Sequence, residues 1–179
     1  LYGFLLYDFG DGLNGLSVER WGEIPILRPS EGKLLSAASD IAIYAGAYYN
    51  GSIYASGQSN KDYLYYTLKI DPANFSYEVL AQVDCFVRDM AFDYTTGTMF
   101  AVLSDDRNTG ALAQMDLKTG LFTVVGDTGY EMVALACDNE GALYAVNAAG
   151  YLYQLNKDTA EATYRSSTSM SGSMYQSMH

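Results

Sequence analysis

The residues of this sequence that could do chemistry are carboxylates, because there are 21 Asp and Glu but one histidine, His179. One histidine at the terminus offers no Ser-His-Asp or Cys-His arrangement for nucleophilic catalysis. A pair of carboxylates can still cleave a polysaccharide, and Asp89 with Glu131 is the candidate pair. Surface solvation explains most of the acidic residues, so we predict no catalytic residue and keep a polysaccharide-active enzyme as an alternative.

Cofactor and metal motifs are incomplete. Residues 10–15 match G-x-G-x-x-G formally, but a dinucleotide site needs a helix next, and residues 16–21 read as strand and turn. Counted from Asp8, the third and fifth positions of an EF-type loop are glycines instead of oxygen ligands. Two cysteines cannot form a four-ligand site. The sequence therefore predicts no cofactor and no metal site, with a weak calcium site of another arrangement left open.

The two cysteines, Cys85 and Cys137, are predicted to be unpaired. In the repeat described below, Cys137 aligns with Phe92, so Cys85 stands seven positions earlier in its own copy. Seven strand residues span roughly 23 Å, whereas a disulfide requires Cα atoms within about 7 Å. We therefore expect Cys137 to be a small core residue.

Composition and charge limit the class of partner. Ten Lys and Arg against 21 Asp and Glu give a formal net charge of −11, which repels phosphate backbones and argues against nucleic-acid binding. Seventeen Tyr and 17 Gly with three Pro are typical of strands joined by tight turns. No apolar run approaches the roughly 18 residues that a membrane span needs. The acidic, Tyr-rich and Lys-poor composition favours an extracellular or cell-surface location.

The elements that must position these residues form an internal repeat. Three stretches share an apolar strand, a turn with Gly, a second strand, and a third strand that ends in an acidic or amide residue. The landmarks recur at roughly 40–46 residues, which is the length of a four-stranded propeller blade. The aligned turns and second strands are residues 50–55, 96–101 and 140–145, and the aligned third-strand ends are Asp71, Asp116 and Asn156.

Turn chemistry indicates strands and not helices. Asn50-Gly51 between two apolar runs predicts a type I′ hairpin turn, in which both central residues have positive φ. The longer turns at residues 93–97 and 116–120 each end in a Gly that suits the left-handed position. No segment combines helical apolar periodicity with caps. The prediction is an all-β fold of four-stranded blades.

Two copies of the repeat resemble a known family. Residues 90–101, with Asp93, Thr96 and Gly97, resemble the signature of the YVTN-type and quinoprotein-like β-propeller repeats of secreted bacterial proteins. Residues 135–145 are a second copy that is one residue shorter and lacks the Thr. The resemblance covers about residues 41–170 and implies a fold, not an activity. Members of that family usually have more blades than this chain holds.

The two ends of the chain are predicted to share one blade. Leu1-Tyr2-Gly3 resembles the second strand at residues 143–145, and residues 175–179 resemble the first strand at residues 87–91. Sharing closes the ring and removes exposed sheet edges. We predict a single domain, residues 1–179, that forms a four-bladed propeller, with an open fragment of a larger propeller as the alternative. The expected blades are residues 1–40 plus 171–179, 41–84, 85–129 and 130–170.

The resemblance also implies where a ligand binds. In propellers, the loops from the second to the third strand, and from the fourth to the next first strand, share the face around the central channel. Here those loops combine charges of both signs with tyrosines. This composition is typical of a polar surface that binds a protein, and not of a deep apolar pocket. The candidate binding residues are Lys61, Asp62, Tyr63, Arg88, Asp89, Arg107, Tyr130 and Glu131.

We therefore expect a non-enzymatic binding module of a secreted or cell-surface bacterial protein. Its expected partner is a protein, such as a host glycoprotein or an immunoglobulin, with a glycan as the next choice. Two alternatives remain: a polysaccharide-active enzyme or glycan-binding propeller that uses paired acidic residues, and a structural spacer in a long adhesin. We expect a monomer that binds no nucleic acid and does not insert into a membrane.

Overall fold

The computed structural model describes residues 16–18, 33–35, 41–73, 76–104 and 110–167, with the backbone alone for the first two ranges. Within these ranges every regular element is a β-strand. The described part of the chain holds no helix that is long and apolar enough to cross a membrane. The glycine motif at residues 10–15, Arg107 and His179 lie outside the described residues.

Most of the strands belong to three antiparallel sheets of four. Two short strands, β1 (Leu16–Val18) and β2 (Lys33–Leu35), pair with each other. The first blade consists of β3 (Ile41–Tyr49), β4 (Ser52–Ser59), β5 (Tyr65–Ile70) and β6 (Tyr77–Val83). The second blade consists of β7 (Phe86–Asp93), β8 (Thr98–Ser104), β9 (Gly110–Met115) and β10 (Phe122–Asp127). The third blade consists of β11 (Met132–Cys137), β12 (Leu143–Asn147), β13 (Tyr151–Leu155) and β14 (Ala162–Ser167).

The three blades repeat in detail. Neighbouring strands in each blade are consecutive in sequence, and the first strands β3, β7 and β11 lie side by side. One residue bulges out of register in each first strand, and another does so in each fourth strand. The first-strand bulges are Tyr44, Arg88 and Val133, and the fourth-strand bulges are Leu80, Val125 and Arg165. This is the arrangement of consecutive propeller blades.

The hairpin turns use the residues that their backbone requires. Asn50 and Gly51 have φ of 46° and 81°, as the predicted type I′ turn demands. Gly120, with φ of 76°, ends the turn between β9 and β10 and packs on the first blade. A Cβ at this position would overlap the Thr67 hydroxyl, which donates a 2.9 Å hydrogen bond to the Gly120 carbonyl. Glycine is therefore needed here for both conformation and space.

Apolar side chains fill the space between successive blades. Met99 of β8 is buried with Tyr54 between the first and second blades, whereas its neighbour Phe100 is buried between the second and third. This division follows from the alternation of side chains along a strand. A third buried cluster, which includes Ile53 and Leu68, lies on the other side of the first blade. Each blade is thus held by its neighbours through apolar contact.

The predicted all-β fold of four-stranded blades is confirmed, and both cysteines are free, as expected. The described blades β3–β6, β7–β10 and β11–β14 occupy residues 41–83, 86–127 and 132–167. The blade boundaries and the closed four-bladed ring stay predictions. Most of residues 1–40, and all of residues 171–179, lie outside the described part of the chain.

Candidate binding face

One end of the blades carries the loops from second to third strands and from fourth strands to the next first strands. We call this end the loop face and the opposite end the turn face. The described loop face consists of residues 60–64, 84–85, 128–131 and 148–150, with the strand ends beside them. The equivalent loop at residues 105–109, which contains Arg107, is outside the described residues.

Tyr63 is the most exposed of the large hydrophobic side chains among the described residues, with 72% of its surface accessible. Its backbone has φ of 61°, a left-handed conformation that is unusual for a bulky residue. The Tyr63 amide donates to the Ser59 carbonyl at 3.0 Å, and the Gln58 side-chain amide donates to the Tyr63 carbonyl at 2.9 Å. The loop therefore fixes a strained backbone that holds an aromatic ring in solvent.

Asp62 rigidifies this loop instead of facing solvent freely. Its carboxylate accepts the Leu64 amide at 3.1 Å and the Tyr66 hydroxyl at 2.9 Å. The Leu64 hydrogen bond is the main cause of a lowered Asp62 pKa, and the same carboxylate raises the pKa of Tyr66. The exposed Lys61 donates its amide to the Ser59 hydroxyl at 3.2 Å. Lys61 and Asp62 therefore belong to the same hydrogen-bonded loop as Tyr63.

A second group of loop-face residues surrounds Phe86 at the start of β7. The rings of Tyr44 and Tyr65 lie with their centroids 5.0 and 5.7 Å from that of Phe86. The Arg88 guanidinium lies 4.9 Å from the Phe86 centroid, within cation–π range. Arg88 also forms a 2.7 Å ion pair with Glu131 across the second and third blades.

Arg88 is held firmly, but not completely satisfied. Its side chain and that of Glu131 are each about one-third exposed. The Arg88 Nε is buried and has no hydrogen-bond partner among the described residues, which is a costly arrangement for a charged group. The exposed part of the guanidinium can still donate a hydrogen bond to a carboxylate or carbonyl of a ligand.

Asp89 points into the protein. It is 1% exposed, and its carboxylate accepts the amide of Met90 at 2.9 Å and that of Leu135 in the third blade at 2.8 Å. The hydrogen bond from Leu135 ties β7 to β11. Glu131, by contrast, lies at the surface with Arg88. The two carboxylates considered as an acid–base pair thus have separate surroundings and separate partners.

A tyrosine cluster lies where the second blade passes to the third. Tyr130 stacks on Tyr153 with ring centroids 4.6 Å apart. Tyr164 lies 6.0 Å from Tyr153 and 6.1 Å from Tyr151, edge to face in both cases. Tyr153 is buried, whereas Tyr130, Tyr151 and Tyr164 are exposed. The cluster therefore offers three aromatic edges on a packed base.

The structure gives the predicted site residues different surroundings. It joins Arg88 to Glu131, with Tyr130 next to Glu131 in the chain. It places Lys61, Asp62 and Tyr63 in one rigid loop of the first blade. The role of each as a binding residue stays a prediction, and nothing is described for Arg107.

Phe86 and Tyr151 also belong to this face and were not among the candidates. Tyr151 follows the second-to-third-strand loop of the third blade, so the loop rule that selected Tyr63 applies to it as well. The sequence does not single out Phe86, because this residue is neither charged nor part of a turn. In the described residues, no group of three or more His, Cys, Asp or Glu could hold a metal ion.

Comparison with known proteins shows the fold alone. No family model matches the chain, and no curated protein sequence matches it. A chain of a nidogen/laminin complex has 13% identity and a TM-score of 0.69, over 88% of this chain and 60% of that one. Regucalcin, a calcium-binding protein from Agrobacterium tumefaciens, has 16% identity and a TM-score of 0.56, over 84% and 53%.

A protein of unknown function from Bacteroides thetaiotaomicron has 18% identity and a TM-score of 0.53, over 73% of this chain and 32% of that one. The chain thus spans less than two thirds of each of these structures. Nidogen and regucalcin are β-propellers. The chain therefore has the β-propeller fold, built from four-stranded antiparallel blades.

Proposed function

We propose that this chain is a non-enzymatic protein-binding module and that it recognises its partner through the loop face. The observation that carries the proposal is the set of tyrosines held at the surface, above all Tyr63 on its strained backbone. Tyrosine gives a large contact area at a low entropic cost and is enriched at protein interfaces. The Arg88–Glu131 pair adds a directional polar contact.

The surroundings of the carboxylates favour binding over catalysis. A polysaccharide-cleaving pair needs two carboxyl groups that face the same substrate. Asp89 already accepts two backbone amides in the interior, and Glu131 already binds Arg88. Neither group faces an open cleft in company with the other, so we rank the enzyme below the binding module.

The fold comparison supports the same choice. One structure with this fold comes from a nidogen/laminin complex, so such a fold is found in an assembly of proteins. We further propose that the chain belongs to a secreted or cell-surface bacterial protein of the YVTN-like type. Its partner is then a host protein or glycoprotein, in keeping with the acidic, Tyr-rich composition.

The first experiment is capture of partners on the immobilised chain from serum and mucosal fluid, beside a glycan panel. Retention of a protein that then binds the purified chain in solution is the expected result. Retention of a glycan alone would change the partner class. If every source leaves the surface empty, the binding function is wrong and a spacer role in a long adhesin replaces it.

Variants then locate the contact. We expect Tyr63→Ala and Tyr151→Ala each to weaken partner binding at least tenfold, a change of about 1.4 kcal/mol. The matched control is Tyr77→Ala, because Tyr77 begins β6 at the turn face and is also partly exposed. Equal effects of Tyr63→Ala and Tyr77→Ala would exclude the loop face as the contact surface.

A further inference from the structure

A cavity of about 240 Å³ opens between the first and second blades. It is bounded on one side by the end of β6 and the short connection that follows it, and on the other by the beginning of β10. Leu121 is 53% exposed at its rim. The lining residues are Gln82, Val83, Asp84, Cys85, Leu121 and Phe122.

The next blade junction holds a tyrosine at the corresponding place. Cys85 stands two residues before Val87, and Tyr130 stands two residues before Met132. Val87 and Met132 each precede the first-strand bulge of their blade. Cys85 is therefore the counterpart of Tyr130.

The residue that supports that tyrosine also differs between the junctions. Tyr130 stacks on Tyr153, which pairs with Ala145 of β12. Ala101 of β8 is the counterpart of Ala145, because residues 96–101 align with residues 140–145 in the repeat. Ala101 pairs with Ala113, so Ala113 is the counterpart of Tyr153. The stacked pair of tyrosines at one junction thus corresponds to a cysteine and an alanine at the other. Of these two smaller residues, Cys85 lines the cavity.

We infer that this cavity receives one aromatic side chain from an extended segment of a partner protein, with a basic residue next to it in that segment. A cavity of about 150 Å³ is enough for a benzene ring. Sites for drug-sized ligands and cofactors start at about 300 Å³. A volume of about 240 Å³ therefore suits a single ring.

The charge at the rim of the cavity determines which residue of the partner segment is favoured next to the aromatic one. Asp84 is exposed beside the cavity, and the whole chain has a formal net charge of −11. A cationic side chain that follows the aromatic one meets this carboxylate, whereas an acidic segment is repelled. Burial raises the pKa of the Cys85 thiol to about 11, so the inner wall stays uncharged at neutral pH.

This inference deepens the proposed protein-binding function and adds a contact away from Tyr63. It is tested with the whole chain labelled with ¹⁵N and titrated with acetyl-Arg-Tyr-Arg-amide while amide shifts are followed. We expect the shifts to concentrate at Asp84, Cys85 and Leu121. Acetyl-Arg-Ala-Arg-amide should leave the chemical shifts of these amides unchanged. Acetyl-Glu-Tyr-Glu-amide should bind at least tenfold more weakly than the basic tripeptide.

Cys85→Tyr supplies the missing ring from the chain itself and should reduce tripeptide binding at least tenfold. Cys85→Ser keeps the cavity open and should bind as the original chain does. If Cys85→Tyr does not fold, Cys85→Leu fills the same space with a smaller group. Binding that survives both filled variants overturns the inference, and so does a response to the alanine tripeptide.

Two further outcomes separate this site from its alternatives. Equal binding of p-cresol and the basic tripeptide assigns the cavity to free aromatic compounds and overturns the peptide partner. Tyr63→Ala should leave tripeptide binding unchanged, because its loop does not line the cavity. Failure of the contact through Tyr63 and failure of this inference can thus be told apart.

Discussion

The turn face and the loop face belong to the same three blades, and polar side chains accept backbone amides on both, but the two faces hold their most exposed tyrosines differently. On the turn face, Asp116 and Asn156 each accept two backbone amides of their own turn at 2.7–3.1 Å. Asp138 does the same between β11 and β12. On the loop face, Tyr63 is held in solvent by a strained backbone. Tyr94 of the turn face is also exposed, but its hydroxyl donates to the Tyr48 carbonyl of the first blade at 2.9 Å, so this tyrosine is tied to the neighbouring blade.

Asp93 is the clearest example of a turn-face residue that stabilises the fold. It is fully buried and accepts the Thr95 amide at 2.8 Å, the Thr95 and Thr96 hydroxyls at 2.6 and 2.7 Å, and the Lys157 ammonium at 2.7 Å. Lys157 belongs to the third blade, so the cluster joins two blades. Gly141 approaches the same carboxylate so closely that a Cβ there would overlap Thr95.

Removing the buried carboxylate should give the largest effect. We expect Asp93→Ala to lower the free energy of unfolding by about 3 kcal/mol, since it leaves a partly buried ammonium and several donors unpaired. The matched control is Asp116→Ala, because Asp116 also accepts hydrogen bonds from backbone amides but lies in an exposed turn. This variant should lower the free energy of unfolding by about 1 kcal/mol. Urea denaturation measures both. Similar losses for the two variants would contradict the special role of the buried cluster.

Asp89 tests whether a loop-side carboxylate serves structure. Asp89→Ala should cost about 2–3 kcal/mol, because the amides of Met90 and Leu135 lose their acceptor. Glu131→Ala removes a partly exposed ion pair and should cost at most about 1 kcal/mol. Thermal and urea unfolding report both values. A stable Asp89→Ala variant with lost polysaccharide cleavage would instead restore the acid–base pair.

The acid stability of the protein should depend on the Asp93 cluster. Burial alone raises the pKa of Asp93, but hydrogen bonds from Lys157, Thr95 and Thr96 outweigh it and hold the pKa well below its usual value of 3.8. A lowered folded-state pKa contributes stability above about pH 4, and this contribution is lost as the pH falls toward the folded pKa.

Lys157→Met isolates that contribution. We expect a loss of about 2 kcal/mol at pH 7, which shrinks below about pH 4 as Asp93 becomes protonated in the variant and in the unfolded chains. Unfolding free energies between pH 2 and pH 7 give the profile. A difference that stays constant over this range would mean that the ion pair is not its source.

Tyr63→Ala should have the smallest effect on stability, within about 0.5 kcal/mol, because the side chain is largely in solvent. The same variant is expected to weaken partner binding at least tenfold. Urea denaturation beside a binding measurement separates the two properties. A large loss of stability would place Tyr63 among the structural residues and weaken the contrast between the faces.

The sequence predicted the repeat well because turn residues and strand alternation are local properties. Asn50-Gly51 specifies its hairpin without help from the rest of the chain. The burial of Asp89 could not be predicted in the same way, because its partner Leu135 is 46 positions away. Likewise, a Cys at position 85 becomes informative only when the register shows that it corresponds to Tyr130.

The fourth-strand bulges at Leu80, Val125 and Arg165 have a consequence for behaviour at high concentration. The strands that contain them, β6, β10 and β14, are each at the edge of a sheet, where unpaired amides and carbonyls can recruit a strand from another molecule. A bulge interrupts the ladder and twists the edge. Since each of these three strands carries one at the same place, we expect the repeat to resist edge-to-edge aggregation despite exposed valines at positions 79 and 124.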